Sequence, residues 1–235
     1  MRTVIVGASG GIGGALARQL VDAGHEVHAF SRSGNATIDG AIDGRLDTND
    51  EASIEAAAKT VKAHGTPDWV IVASGLLSDE TGLMPEKTYR QQSADAFARV
   101  FAANTFGPAL VAKHFLPIMP RSGPSVFAAL SARVGSISDN RLGGWHAYRA
   151  SKAALNMLIR NFAIEQGRRN PDFVALGLHP GTVDTALSKP FQSNVSAEQL
   201  FTADQSASHL IRVLSERTPA DSGKVFDWAG KEIPA

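Results

Sequence analysis

Apolar and polar positions fall into short alternating blocks along this chain. The first block is Val4-Ile5-Val6, followed by Gly7-Ala8-Ser9-Gly10-Gly11-Ile12-Gly13-Gly14 and then by apolar residues at helical spacing, Ala15, Leu16, Leu20 and Val21. That order predicts a strand, a tight turn and a helix. Gly24 closes the helix, and residues 25–30, with Val27 and Phe30 apolar, complete a βαβ unit. Arg45-Leu46-Asp47 reads as the end of a third strand and residues 50–63 as a helix. Trp69-Val70-Ile71-Val72 has the unbroken apolar character of a strand buried on both faces. Further on, residues 93–119 read as one long helix, 125–130 as a fifth strand, and 147–168 as another long helix. A strand over 173–178, a helix over 203–215 and a last strand over 224–228 complete the series. Strands and helices alternating at this spacing predict an α/β, Rossmann-like doubly wound sheet, mostly parallel and covered on both faces, in a single domain spanning 1–235.

Composition narrows the function more than the fold. Lys plus Arg and Asp plus Glu are both 23, and this zero net charge gives no electrostatic footprint for nucleic acid or an anionic membrane. The absence of cysteine removes disulfides, thiolate metal sites and a cysteine nucleophile, and the seven histidines show no metal-ligand spacing. The apolar run before the first glycine is too short for a signal peptide, and no stretch is long enough for a membrane span. The expectation is a soluble, cytoplasmic protein acting on a small molecule.

Gly7-x-x-x-Gly11-x-Gly13, with Ser9 and Ile12 in the same turn, joins a strand to a helix where small residues let the backbone approach a pyrophosphate. A fold of this kind that selects NAD usually has an acidic residue at the end of the second strand to bind the ribose 2′-hydroxyl. Here Ser31 and Arg32 stand there. A hydroxyl and a guanidinium suit a 2′-phosphate, so NADP(H) is expected, although Arg32 also reads as a solvated surface arginine.

Tyr148 and Lys152, four residues apart, share one face of the second long helix. A phenol near pKa 10 is a poor base at neutral pH, and a neighbouring ammonium would favour its ionised form. Ser131, at the end of the fifth strand, could hydrogen-bond a substrate oxygen, and Asn104 in the first long helix could hold a water linking Lys152 to solvent. His146 and His179 are alternative proton donors by position alone.

Taken in order, the glycine loop, Asn104, Ser131, Tyr148 and Lys152 resemble the motifs of the short-chain dehydrogenase/reductase family over nearly the whole chain. His179-Pro180-Gly181-Thr182-Val183-Asp184-Thr185 resembles the family's Pro-Gly motif, which implies contacts to a nicotinamide carboxamide through Pro180, Gly181, Val183 and Thr185. The resemblance also implies that Asp47 approaches the adenine amino group, with Asp39 and Asp43 as nearby alternatives, and that Lys152 holds the ribose. It implies about seven strands in the order 3-2-1-4-5-6-7, and a homodimer or homotetramer joined through the two long helices.

After the fourth strand many members have Asn-Asn-Ala-Gly. This chain has Val72-Ala73-Ser74-Gly75, so Gly75 can still approach the ribose but the asparagine hydrogen bonds must come from elsewhere. Ser222 to Asp227 and Gly230 to Glu232 resemble the C-factor branch. The expected activity is hydride transfer between NADP(H) and a carbonyl or alcohol, with Tyr148 as acid and base. The C-factor likeness leaves a signalling or regulatory protein as the alternative. An epimerase of the extended family has little sequence left for a substrate domain. Leu76, Leu77, Leu142, Trp145 and Phe191 could line an apolar pocket under a lid of residues 183–200, and all five read equally well as core or surface.

Overall fold

Period-two patterning explains how the sheet is covered. The computed structural model describes residues 1–193 and 196–235. The first strand, β1 (Arg2–Val6), sends Val4 and Val6 to one face and Ile5 to the other, and β4 (Trp69–Val72) and β5 (Ser125–Leu130) split their side chains in the same way. On the face of Val4 and Val6 lie α2 (Glu51–His64), α4 (Gly107–Phe115) and α5 (His146–Gly167), contributing Val61, Phe115 and Ile159 among others. On the opposite face α1 (Gly11–Asp22) and α6 (Ala203–Glu216) bring Leu16, Leu20, Leu210 and Val213. Each such fully buried aliphatic or aromatic side chain stabilises the fold by about 1.5–3 kcal/mol relative to exposure.

The remaining strands are β2 (Glu26–Ser31), β3 (Ile42–Arg45), β6 (Phe173–His179), β9 (Lys224–Asp227) and β10 (Glu232–Ile233). They complete an eight-stranded sheet in the order β10-β9-β6-β5-β4-β1-β2-β3. All neighbours are parallel except β10 and β9. A separate pair, β7 (Thr182–Val183) with β8 (Leu200–Phe201), joins the two ends of the stretch expected to form a lid. Asn194 and Val195 of that stretch lie outside the described residues.

Three details depart from the sequence expectation. The sheet has an eighth strand because Asp227 Oδ1 accepts the amides of Ala229 and Lys231, at 3.0 and 2.9 Å, and turns the chain back after β9. The third strand is Ile42–Arg45 and ends before Leu46, which is buried. The helix expected over 93–119 is divided into α3 (Ala94–Phe101), a π-helical stretch Ala102–Phe106, α4, and a short turn Leu116–Ile118. Pro108 is the reason within the sequence: an α-helical ladder needs its missing N–H to satisfy the Asn104 carbonyl. The wider turn is closed instead by Gly107 N–H donating to the Ala102 carbonyl.

Candidate active site

The carboxyl ends of the central parallel strands open into a cleft of about 420 Å³. In open α/β sheets this is where ligands bind. Gly7, Ser9, Gly11, Ile12, Gly13, Arg32, Gly75, Ser131, Tyr148, Lys152, Pro180 and Thr185 all line it. Ser31, Asp47, Asn104, Gly181 and Val183 do not. Ser31 is buried and its hydroxyl meets that of Ser33 at 3.2 Å, while the Asp47 carboxylate accepts the Asn49 amide at 3.0 Å, between the lining residues Leu46 and Thr48. Val183 is buried in β7. Gly181 sits at φ 79° against Phe201.

One end of the cleft is built from backbone. The α1 helix starts without a side-chain cap, so its first amides stay available to an anion. Gly13 lies so close to the preceding turn that a Cβ there would be 2.2 Å from the Gly7 carbonyl oxygen. A methyl on Gly11 would strike Thr185 Cγ2 at 2.8 Å, which brings the Pro-Gly segment directly over the loop. Arg32 is exposed at the rim and makes no ion pair among the described residues. An uncapped helix end, a tight glycine turn and a free guanidinium fit a phosphorylated dinucleotide.

At the other end lie the polar side chains. Lys152, 3% exposed, donates from Nζ to the Leu130 carbonyl at 2.7 Å, and Nζ lies 5.7 Å from the centre of the Tyr148 ring. The sequence leads one to expect the ammonium to lower the phenol. Burial outweighs it here, pushing Tyr148 up to about 12 and Lys152 down to about 7. The cause is desolvation: the lysine's one hydrogen bond goes to a neutral carbonyl, which offsets little of the cost of enclosing a charge. Tyr148 keeps part of its surface open whereas Lys152 is enclosed.

Asn104 faces the chain after Gly75 with its side chain. Its buried side chain is committed to protein: Oδ1 accepts the Leu76 amide at 2.8 Å, and Nδ2 donates to the Leu76 carbonyl at 2.8 Å and to Ser151 Oγ at 3.2 Å. It therefore fixes the chain just after Gly75, supplying hydrogen bonds that the Val-Ala-Ser-Gly sequence lacks. A Cβ at Gly75 would lie 3.3 Å from Asn104 Oδ1 and 3.8 Å from Lys152 Nζ.

The start of α5 is held from outside the helix. Trp145 has φ 52°, uncommon for a bulky residue, and its amide donates to the Glu86 carbonyl at 2.5 Å. The buried Glu86 carboxylate accepts the Ala147 amide at 3.2 Å. The Trp145 ring then meets Phe191 and Tyr148, with centroids 5.2 and 6.1 Å apart. Leu142 of the expected apolar pocket is instead 90% exposed, and Leu77 is buried.

Sequence reasoning missed Asn156, whose Oδ1 accepts the Ser131 hydroxyl at 2.6 Å. The signal was present, since Tyr148, Lys152 and Asn156 follow one another at four-residue steps along one helical face. Thr48, Ala186 and Leu187 also line the cleft.

His179 can be set aside as proton donor. Burial is the main cause that lowers it to about 4, Arg133 adding to the effect, so it is uncharged at neutral pH. His28, with 0% exposure and no hydrogen bond to either ring nitrogen, is likewise lowered by burial, although Glu26 Oε1 lies 3.4 Å away. These shifts carry a sign. The unfolded chain takes up these protons near pH 6.5 and the folded chain only well below it, so stability is full above pH 6.5 and lost as the pH falls towards 4. The urea midpoint is expected to drop over that window, with His179 contributing up to about 3 kcal/mol. His179→Asn should flatten the profile; an unchanged profile would count against it.

The profile of the short chain dehydrogenase family matches residues 2–196. The chain belongs to that family. Members similar to it include the 1-hydroxy-2-glutathionyl-2-methyl-3-butene dehydrogenase of Rhodococcus sp. (strain AD45), 33% identical over 95% of each chain. The C-signal protein of Myxococcus xanthus is 36% identical over 58% of this chain and 77% of its own. Among solved structures, the NADPH-bound carbonyl reductase from chicken fatty liver superposes with a TM-score of 0.85 at 25% identity, covering 100% of this chain and 98% of that one. This short-chain dehydrogenase is accordingly an oxidoreductase with the single α/β unit of its relatives. Among the described residues, no helix is long and apolar enough to cross a membrane and no three His, Cys, Asp or Glu side chains converge as metal ligands.

Proposed function

We propose that this short-chain dehydrogenase reduces the carbonyl group of a small aldehyde or ketone with NADPH and oxidises the corresponding alcohol in reverse. The observation that carries the reading is the single cleft that joins the glycine loop and Arg32 to Ser131, Tyr148 and Lys152. The chemistry a bound NADPH supplies is a hydride to the carbonyl carbon; everything else falls to the chain. Tyr148, protonated at neutral pH, gives its proton to the carbonyl oxygen, and Ser131 orients that oxygen. Lys152 in its ammonium form stabilises the phenolate left behind and offers its remaining N–H groups to the ribose. The Asn104 carbonyl, deprived of an α-helical donor by Pro108, is the atom suited to hold a water towards Lys152.

The preference for NADPH rests on Arg32. A guanidinium at the cleft rim with no carboxylate partner can bind a 2′-phosphate bidentately. NADPH is expected to bind more tightly than NADH, and Arg32→Ala to reduce that margin roughly five- to 150-fold. Fluorescence titration of both nucleotides measures it, and equal affinities in the parent protein would reject it.

The reading as a whole is tested by NADPH consumption, proportional to protein, across aldehydes, ketones and quinones. Glutathionyl carbonyls belong in the panel because of the Rhodococcus relative. The likeness to C-signal favours a second reading, a dinucleotide-binding protein that acts through a macromolecular partner. Firm NADPH binding without turnover on the whole panel would decide for it. Association through the faces of α4 and α5 completes the proposal and is checked by light scattering.

A further inference from the structure

Asn156 lies one helical turn beyond Lys152 on α5, behind the cleft residue Ser131 and outside the cleft lining itself. The Ser131 hydroxyl, 3% exposed, donates to Asn156 Oδ1 at 2.6 Å. A serine hydroxyl carries one proton. With that proton given to Asn156, Ser131 can accept a hydrogen bond but has none to donate to a substrate oxygen. A carboxamide presents an acceptor and a donor of nearly equal shape, so a half-turn about its last torsion puts Nδ2 where Oδ1 stood. Among the described residues no second hydrogen bond restrains the Asn156 amide. Its outer side borders another cavity of about 350 Å³, lined by Gly135, Ile137, Ala153 and Met157 among others.

We infer that Asn156 is a positioning residue that works through Ser131: turned with Nδ2 inward, it donates to Ser131 Oγ and releases the serine proton for the substrate oxygen. The resting orientation holds that proton back, and substrate entry exchanges one hydrogen bond for two. The inference rests on the reductase reading. No bond is made or broken at Asn156, and the proton reaching the substrate oxygen still comes from Tyr148.

The chemistry sets apart two substitutions that packing alone would rank the other way. N156D is nearly isosteric but its carboxylate can only accept, which fixes the serine proton away from the substrate. N156A removes the acceptor and leaves the hydroxyl free to turn. Losing one donor to a developing oxyanion costs on the order of 10²-fold in kcat. At pH 8, on the best substrate of the carbonyl panel, N156D is expected to lower kcat at least tenfold and N156A less, with NADPH affinity within twofold of the parent in both. Lowering the pH should restore N156D as its new carboxyl gains a proton and with it a donor. In an S131A background N156D should add less than a twofold loss.

Nitrogen-15 spectra give a readout apart from turnover. The Asn156 side-chain amide signal, assigned by its absence in N156D, should shift when Ser131 is replaced by alanine. A parent with turnover and N156D within twofold of it, or N156D milder than N156A, overturns this inference alone. A parent with no turnover overturns the reductase reading and this inference with it.

Discussion

Tyr148→Phe is expected to lower carbonyl turnover at least a hundredfold while leaving NADPH binding within about twofold. Removing a positioned general acid costs 10² or more in rate, and in the proposed mechanism the phenolic oxygen meets the reacting oxygen rather than the dinucleotide. Lys152→Ala is expected to weaken both turnover and cofactor binding, because the proposed mechanism assigns its ammonium to the phenolate and the ribose together. Raising the pH should partly rescue Lys152→Ala in alcohol oxidation, where alkali supplies the phenolate. The two parameters are separated by single-turnover kinetics and nucleotide titration. A Tyr148→Phe variant keeping more than about a tenth of kcat, above the range for loss of a general acid, would remove the tyrosine from its role. His146 would then be the group to replace, since His179 is lowered to about 4 and is uncharged at neutral pH.

Gly13→Ala should have an effect of comparable size by another route. The added methyl would lie 2.2 Å from the Gly7 oxygen and 2.9 Å from the Gly7 carbonyl carbon, both backbone atoms that cannot swing aside. Overpacking of this kind costs about 1–3 kcal/mol or more, and here relief requires opening the turn that lines the cleft. The expected result is a lower melting temperature together with at least a tenfold loss of NADPH affinity. Gly24→Ala, where no atom lies within 4 Å but φ is 81°, is the useful comparison, because it adds backbone strain away from the loop. Equal NADPH affinity in Gly13→Ala and the parent would show that the loop does not hold the dinucleotide.

The strands that fix the cleft were legible because their apolar runs are short, bounded by turns and buried on both faces, as in Trp69 to Val72. Gly7, Gly11, Gly13, Ser131, Tyr148 and Lys152 were legible as a set because the carboxyl ends of successive strands bring them together whatever the loops between do. Hydrogen bonds across long separations were not. Nothing in the local sequence says that Asn104 will clamp Leu76, that Glu86 will hold the start of α5, or that Asn156 will accept the Ser131 hydroxyl's hydrogen bond. Electrostatics was harder still: a four-residue spacing shows that Lys152 neighbours Tyr148, but not that enclosure would outweigh their attraction. The eighth strand hid in an aspartate whose side chain turns the chain after β9.

The π-helical stretch at residues 102–106 is a phase shift of one residue in an otherwise continuous rod. The half before it, α3, turns Ala96 and Val100 towards Leu83 and Ala147, whereas α4 turns Val111, Ala112 and Phe115 into the core beneath the sheet. An unbroken α-helix advances about 100° per residue. One residue more than the wide turn already absorbs would leave both halves helical and well formed. It would also rotate one half against the other by that angle, carrying Asn104 away from Leu76 or unseating Phe115. The rod thus works as a coupling between two gears cut to different teeth, and apart from Asn104 and Thr105, which hydrogen-bond Leu76 and Ser151, this stretch should tolerate substitution far better than an insertion.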